Sequence, residues 1–256
     1  MNPTRLSPGL FARLQSSASR LCCLGLASTL FTVGFPADSY AGNIVDETVF
    51  DAGSGKTPES FGYYHYFWSQ DTGPWDISQH SLRNPVHISV NNPVIHSFDP
   101  VALTKLGQSV TLSFSFRSLG NLQGSLSVGL WNLKEPMVGN VTPPDPVPIK
   151  GRPGISLDQE LIPGADLFIR ANDKQIGKQY SEDLGTGQEI AIVLRIERTK
   201  DGLRVSGKIG NTEIGPVDSL ADAPEDFVFN ALSLHTPLLE VEKFTYFTDV
   251  KVEVAP

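Results

Sequence analysis

Residues 110–117, Val-Thr-Leu-Ser-Phe-Ser-Phe-Arg, alternate apolar and polar side chains without a break. Successive side chains of a β-strand point to opposite faces, so one face of this segment is apolar and the other is polar. The same period of two recurs at 125–131, 166–172, 189–197 and 249–254. No stretch of helical length shows the 3.6-residue period of an amphipathic helix. The pattern therefore predicts strands that each bury one face.

Turn sequences separate these segments at short intervals. Lys200-Asp201-Gly202 predicts a hairpin between 189–198 and 203–209, because Asp-Gly accepts the positive φ of a tight turn. Residues 136–154 contain six prolines, which remove donors from a sheet and so predict a long surface loop. Further strands are expected at 44–50, 61–68, 86–91 and 226–235. About ten to twelve short strands with frequent turns predict an all-β chain, an antiparallel two-sheet β-sandwich of the jelly-roll type.

Residues 1–41 have the order of features found in a secretory signal peptide. Three arginines precede an apolar stretch at 21–35, and Ser39-Tyr40-Ala41 forms a small-x-small pattern before Gly42. The apolar stretch, about 15 residues, is shorter than the roughly 20 needed to span a bilayer. The sequence predicts a signal peptide at 1–41 and a single secreted or periplasmic domain at 42–256, with no membrane span in the mature protein.

Charge and cysteine content exclude several classes of function. The chain carries a net charge of −8; without residues 1–41, Lys+Arg falls from 20 to 17 and Asp+Glu from 28 to 27, which gives −10. A strongly acidic chain repels phosphate backbones, so neither nucleic acid nor anionic lipid is expected as a partner. Both cysteines, at 22 and 23, lie in the predicted signal peptide. The mature chain would therefore hold its fold without disulfides.

Five stretches carry a resemblance to a known superfamily: the opening Asp46–Asp51, then Leu106–Arg117, Ser127–Asn132, Ile196–Leu203 and the closing Phe247–Val254. Together they resemble the concanavalin A-like lectin/glucanase (laminin G-like) jelly roll, in particular its exported bacterial members. The resemblance implies two antiparallel sheets with a concave face, where many members bind carbohydrate and some cleave it. Glucanases of this fold carry a Glu-x-Asp-x-x-Glu strand, and no such string occurs in this chain. The resemblance supports the fold more than catalysis, because one fold hosts many functions.

Large polar and aromatic side chains alternate with the apolar ones in the predicted strands. If these strands are neighbours, their side chains share one outward face, and that mixture suits sugars, since rings pack on C–H faces and guanidinium groups donate to hydroxyls. The predicted ligand-binding residues are Trp131, Phe168, Arg117, Arg170 and Asn172. In the alternative interpretation, the proline-rich loop 136–154 covers Trp131 and Phe168 as a second small core.

Residues that could bind a metal are scattered. None of the five histidines has another histidine two or four residues away, so no compact metal motif is present, and we predict neither a metal site nor a cofactor. Structural calcium is the one option left open, on carboxylates of predicted loops, because sandwich lectins often hold such an ion. The loop carboxylates are Asp71, Asp76, Asp99, Glu135 and Asp145.

The leading functional interpretation is non-catalytic, lectin-like recognition of an extracellular polysaccharide or glycan. Two alternatives stay open: a glycoside hydrolase or polysaccharide lyase of the same fold, and a structural or protein-interaction module of the cell envelope. A carboxylate pair converging on the outward face would favour the enzyme, an open aromatic groove would favour binding, and a filled face would favour the module. The sequence leaves the oligomeric state open.

Overall fold

The computed structural model describes residues 42–47, 50, 56–66, 75–84, 93–119, 122–123, 125–141, 147–160, 166–180, 184, 187–221, 223–236, 238–239 and 244–256. All of these residues belong to one unit, Ser39–Pro256. The predicted signal peptide at 1–41 and the predicted strand at 86–91 lie outside the described residues and stay predictions.

The strands form two large antiparallel sheets and one small one. The eight-stranded sheet has the spatial order β14 (Thr212–Leu220), β13 (Gly202–Ile209), β12 (Glu189–Arg198), β6 (Ser109–Ser118), β17 (Thr245–Ala255), β4 (Ser81–Asn84) and β3 (Asp76–Ser78), with β1 (Gly42–Glu47) also paired to β17. The seven-stranded sheet has the order β11 (Lys174–Tyr180), β10 (Asp166–Ala171), β9 (Gly154–Glu160), β8 (Ser125–Trp131), β15 (Val228–His235), β5 (Val94–Ala102) and β2 (Tyr63–His65). A third sheet pairs β16 (Leu238–Leu239) with β7 (Leu122–Gln123).

The period-two pattern of the sequence is the pattern of burial in these strands. In β6, Leu112, Phe114 and Phe116 are buried in the main core, while the intervening residues are partly exposed. Phe247 of the adjacent β17 lies 5.5 Å from Phe114 and 5.3 Å from Phe116, measured between ring centroids. Each large sheet contributes one apolar face to this core, which is the sandwich arrangement that the alternation predicts.

Most of the predicted strands are confirmed, with changed limits. β6, β8, β12 and β17 cover their predicted segments, and the hairpin at Asp201-Gly202 joins β12 to β13. The strand predicted at 61–68 is confirmed at Tyr63–His65, while a 3₁₀ helix occupies Pro58–Phe61 and residues 67 and 68 lie outside the described residues. A second 3₁₀ helix, Pro224–Phe227, takes the start of the segment predicted at 226–235. Both begin at a proline, whose fixed φ suits the first helical position.

The loop between β8 and β9 contains no strand among its described residues, 132–141 and 147–153, as the prolines predict. Nowhere in the described part of the chain is there a helix with the length and apolar character required to cross a membrane.

Candidate functional site

Side chains on the outer face of the seven-stranded sheet form rows across its strands. The register places His235, Ser127, Asp158, Phe168 and Lys178 side by side on β15, β8, β9, β10 and β11. The next row contains Ser233, Gly129, Ser156, Arg170 and Gln175. Neighbouring strands are about 4.8 Å apart, so adjacent members of a row are within reach of one another.

Trp131 belongs to the third row, and its indole is covered. It is 6% exposed and forms a second hydrophobic cluster with Ile95, Leu133, Met137 and Ala231. Its Nε1 donates a hydrogen bond to Ser233 Oγ at 2.8 Å, which satisfies the only polar atom of the ring. Trp131 therefore lies on the outer face, as predicted, and the proline-rich loop covers it, as in the alternative interpretation.

Two glycines make room for this indole. A Cβ atom at Gly129 would lie 2.8 Å from Trp131 Nε1, and one at Gly154 would lie 2.8 Å from Trp131 Cδ2. The ring therefore lies flat on the backbone of β8 and β9, because neither glycine raises a side chain beneath it. A flat ring under a loop presents no free face for a sugar to stack on.

Replacing Gly154 with alanine is expected to lower the free energy of unfolding by about 1–3 kcal/mol, because the added methyl group overpacks the indole. Urea denaturation measures this change. Gly139→Ala is the matched control, since nothing lies within 4 Å of its Cβ position. Equal stability of the two variants would contradict the packing described for Trp131.

The covering loop is fixed to the sheet by hydrogen bonds between side chains and backbone. Asn230 accepts from Leu133 N at 2.7 Å and donates to Leu133 O at 2.9 Å. Ser97 Oγ accepts from Met137 N at 2.9 Å. Asn140 Oδ1 accepts from His65 N at 2.8 Å. These bonds hold the loop 132–141 over the Trp131 end of the outer face.

The remaining part of the outer face contains a pocket of about 280 Å³. Two residues of the same loop, Val147 and Ile149, contribute to its wall with Pro93. The polar lining consists of Ser127, Asp158, Glu160, Arg170, Ser233 and His235. A pocket that combines polar side chains with apolar surface can hold a small ligand that carries many hydroxyl groups.

Asp158 is the most connected group of the pocket. It accepts from Ser127 Oγ at 2.5 Å, from Arg170 Nε at 2.7 Å and from Ser156 Oγ at 3.3 Å. Burial raises the pKa of Asp158, while the Ser127 hydrogen bond and the Arg170 charge oppose that rise. The result is an ion pair that fixes the guanidinium group, whose remaining N–H groups can donate to a ligand.

His235 lines the same pocket in its neutral form. Burial lowers the pKa of His235 to about 4. Its Nε2 is inaccessible to solvent and has no hydrogen-bond partner among the described residues, although the residue as a whole is partly exposed. A neutral imidazole adds hydrogen-bonding capacity to the pocket without adding charge.

Phe168 lies beside the pocket and is 5% exposed. The Arg170 guanidinium lies 5.5 Å from its ring centroid, and the Lys178 ammonium group lies 5.4 Å from it. Lys178 is itself paired with Asp166 at 2.7 Å. Phe168 and Arg170 thus share the outer face, as predicted, but the ring is covered by cations and is not open for stacking.

Two predicted ligand-binding residues lie elsewhere. Arg117 belongs to β6 of the eight-stranded sheet, where its guanidinium lies 4.8 Å from the Tyr246 ring centroid, so its expected place beside Trp131 is wrong. Asn172 follows β10 in a turn with φ of 48° and accepts from Gly154 N at 2.9 Å. The side chain of Asn172 therefore fixes the start of β9, and the turn to β11 follows from positive φ at both Asn172 and Asp173.

Metal-binding groups do not converge in the described part of the chain, where no group of three or more His, Cys, Asp or Glu side chains could hold an ion. Of the loop carboxylates considered for calcium, Asp76 belongs to β3 and pairs with Arg83, and Asp99 belongs to β5. Asp71 and Asp145 lie outside the described residues.

Asp158, Glu160 and His235 are pocket residues that the sequence interpretation missed. The signal was weak, because only Ile155 and Leu157 alternate with Ser156 and Asp158, and the polar Gln159 takes the next position on the apolar face. This segment follows the proline-rich loop directly and was assigned to no strand.

No protein-family model matches the chain, and no curated protein matches it in sequence. Solved structures are similar in fold at low identity. The carbohydrate recognition domain of Emp46p, in a potassium-bound form, gives a TM-score of 0.56 at 10% identity over 82% of this chain and 95% of the other. A mutant of alginate lyase Aly36B in complex with alginate trisaccharide gives 0.54 at 10% identity over 85% and 100%. Metal-free lectin I-B4 from Griffonia simplicifolia gives 0.50 at 13% identity over 83% and 99%.

These similarities show the fold. The chain has the two-sheet, concanavalin A-like jelly-roll fold, as the resemblance of its strand sequences predicted.

Proposed function

We propose that this chain is an exported, non-catalytic carbohydrate-binding protein whose site is the pocket on the outer face of the seven-stranded sheet. The observation that carries the proposal is the pocket of about 280 Å³ with six polar side chains, one of them the fixed guanidinium of Arg170. Sugars offer hydroxyl groups as both donors and acceptors, and this lining contains both. The similarity in fold to lectins and to a polysaccharide lyase agrees with this class of ligand. The proposal of export rests on the signal peptide predicted at residues 1–41. A mature protein that retains these residues would contradict it.

Arg170 is the residue whose replacement best tests this site. Arg170→Gln is expected to weaken glycan binding about tenfold or more, because hydrogen bonds from a charged donor contribute about 1.5–3 kcal/mol. The measurement is a glycan-array screen, followed by titration calorimetry with the best ligand. Urea denaturation shows whether the variant remains folded.

Arg117→Gln is the matched control, since Arg117 lies on the eight-stranded sheet. Binding that is lost in Arg117→Gln and kept in Arg170→Gln would place the site on the other sheet. A protein that binds no glycan would leave the structural or protein-interaction module as the better interpretation.

An enzyme is the second candidate, favoured by one observation. Asp158 and Glu160 lie two residues apart on one face of β9 and share the pocket with neutral His235. Carboxylates and a neutral imidazole are groups that act as general acids and bases. Release of reducing ends from a bound polysaccharide would establish this activity, and its absence with binding intact would support the non-catalytic site.

A further inference from the structure

The charges that line the pocket are nearly matched within the protein itself. Among the described residues that line the pocket, Arg170 is the only cation, and it already pairs with Asp158 at 2.7 Å. Lys178, which lies on the neighbouring strand β11, pairs with Asp166. Neither cation is an uncompensated charge available to a ligand.

Glu160 adds a carboxylate that this pairing does not neutralise. It lines the pocket, is exposed, and makes no ion pair with any described residue. Since His235 is neutral near pH 7, Asp158, Glu160 and Arg170 leave one net negative charge in the pocket. A ligand carboxylate placed there would meet repulsion that no free cation in the described lining offsets.

We infer that the pocket selects neutral sugars and rejects uronic acids. The inference rests on the proposed function and specifies its ligand class. Arg170 then donates to sugar hydroxyl groups, and the serine hydroxyls both donate to them and accept from them. Binding of these neutral groups needs no compensating charge. The net charge of the whole chain, −8, also repels a polyanionic ligand.

The test compares two sets of polysaccharides on the purified protein. Laminarin, mannan and galactan are neutral, whereas alginate and polygalacturonate carry a carboxylate on each sugar. We expect the best neutral ligand to bind at least about tenfold more tightly than either polyuronate. Glu160→Gln is expected to raise the ratio of polyuronate affinity to neutral affinity by about tenfold, because it removes the uncompensated charge.

Glu253→Gln is the matched control, since it removes one exposed carboxylate from β17 of the other sheet. Its affinity ratio should equal that of the unchanged protein, because charges beyond a Debye length of about 10 Å are screened. Polyuronate binding as tight as neutral-glycan binding would overturn the inference and leave the proposed function standing. Binding of neither set would overturn the proposed function, and the inference with it.

Discussion

Replacing Trp131 with alanine is expected to lower the free energy of unfolding by about 3–5 kcal/mol, the range for removing a buried large aromatic side chain. The indole is 6% exposed between the sheet and the covering loop. Its loss would leave a cavity over Gly129 and Gly154 and an unpaired Ser233 hydroxyl. Urea denaturation measures the change, and the loop 132–141 should exchange its amide protons faster in the variant.

Tyr180→Ala is the matched control, because Tyr180 belongs to the same sheet and is 68% exposed. A change within about 0.5 kcal/mol is expected there. If Trp131→Ala kept full stability and lost glycan binding instead, the indole would be a binding residue and the covered cluster would be wrong.

Acidification from about pH 7 to about pH 5 is expected to lower the free energy of unfolding by about 4 kcal/mol, roughly 2 kcal/mol for each of His65 and His235. Burial lowers the pKa of His65 to about 4, and burial also lowers the pKa of His235 to about 4. The unfolded chain binds these protons near the ordinary pKa of 6.5. Stability contributed by the two neutral rings is therefore present above that value and is lost as the pH falls toward 4.

The surroundings of His65 and two further titratable groups decide how much stability is lost on acidification. His65 Nδ1 accepts from Trp75 N at 3.2 Å, and protonation would break that bond. Glu59 Oε1 lies 3.5 Å from His65 Nε2, and its charge partly opposes the lowered pKa. Burial also lowers the pKa of His96, which adds to the effect. The raised pKa of Asp158 acts in the opposite direction, because it favours the protonated folded state.

A double variant separates this effect from general acid sensitivity. His65→Gln combined with His235→Gln should flatten the difference in unfolding free energy between the two pH values, whatever its stability at pH 7. The readout is the slope of stability against pH, so a less stable variant remains informative. An unchanged slope would mean that other groups cause the loss.

The strands and the faces of the strands could be predicted because alternation is a local property. Leu112, Phe114 and Phe116 face the core because each is two residues from the next. The pattern was weaker where a strand was short or followed prolines, as in β9, and the pocket carboxylates were missed for that reason.

By itself the sequence determined that the chain is all-β, that strands such as β6 and β12 bury one face, and that Asp201-Gly202 turns a hairpin. Tertiary structure alone decided which strands are neighbours, and therefore that Arg170 joins Asp158 and His235 in a pocket while Arg117 lies on the other sheet. It also decided that the loop covers Trp131. The physical reason is that alternation orients a side chain only relative to its own strand. The pairing order of the strands and the placement of the loop depend instead on contacts between residues about a hundred positions apart, such as the hydrogen bond between Trp131 and Ser233.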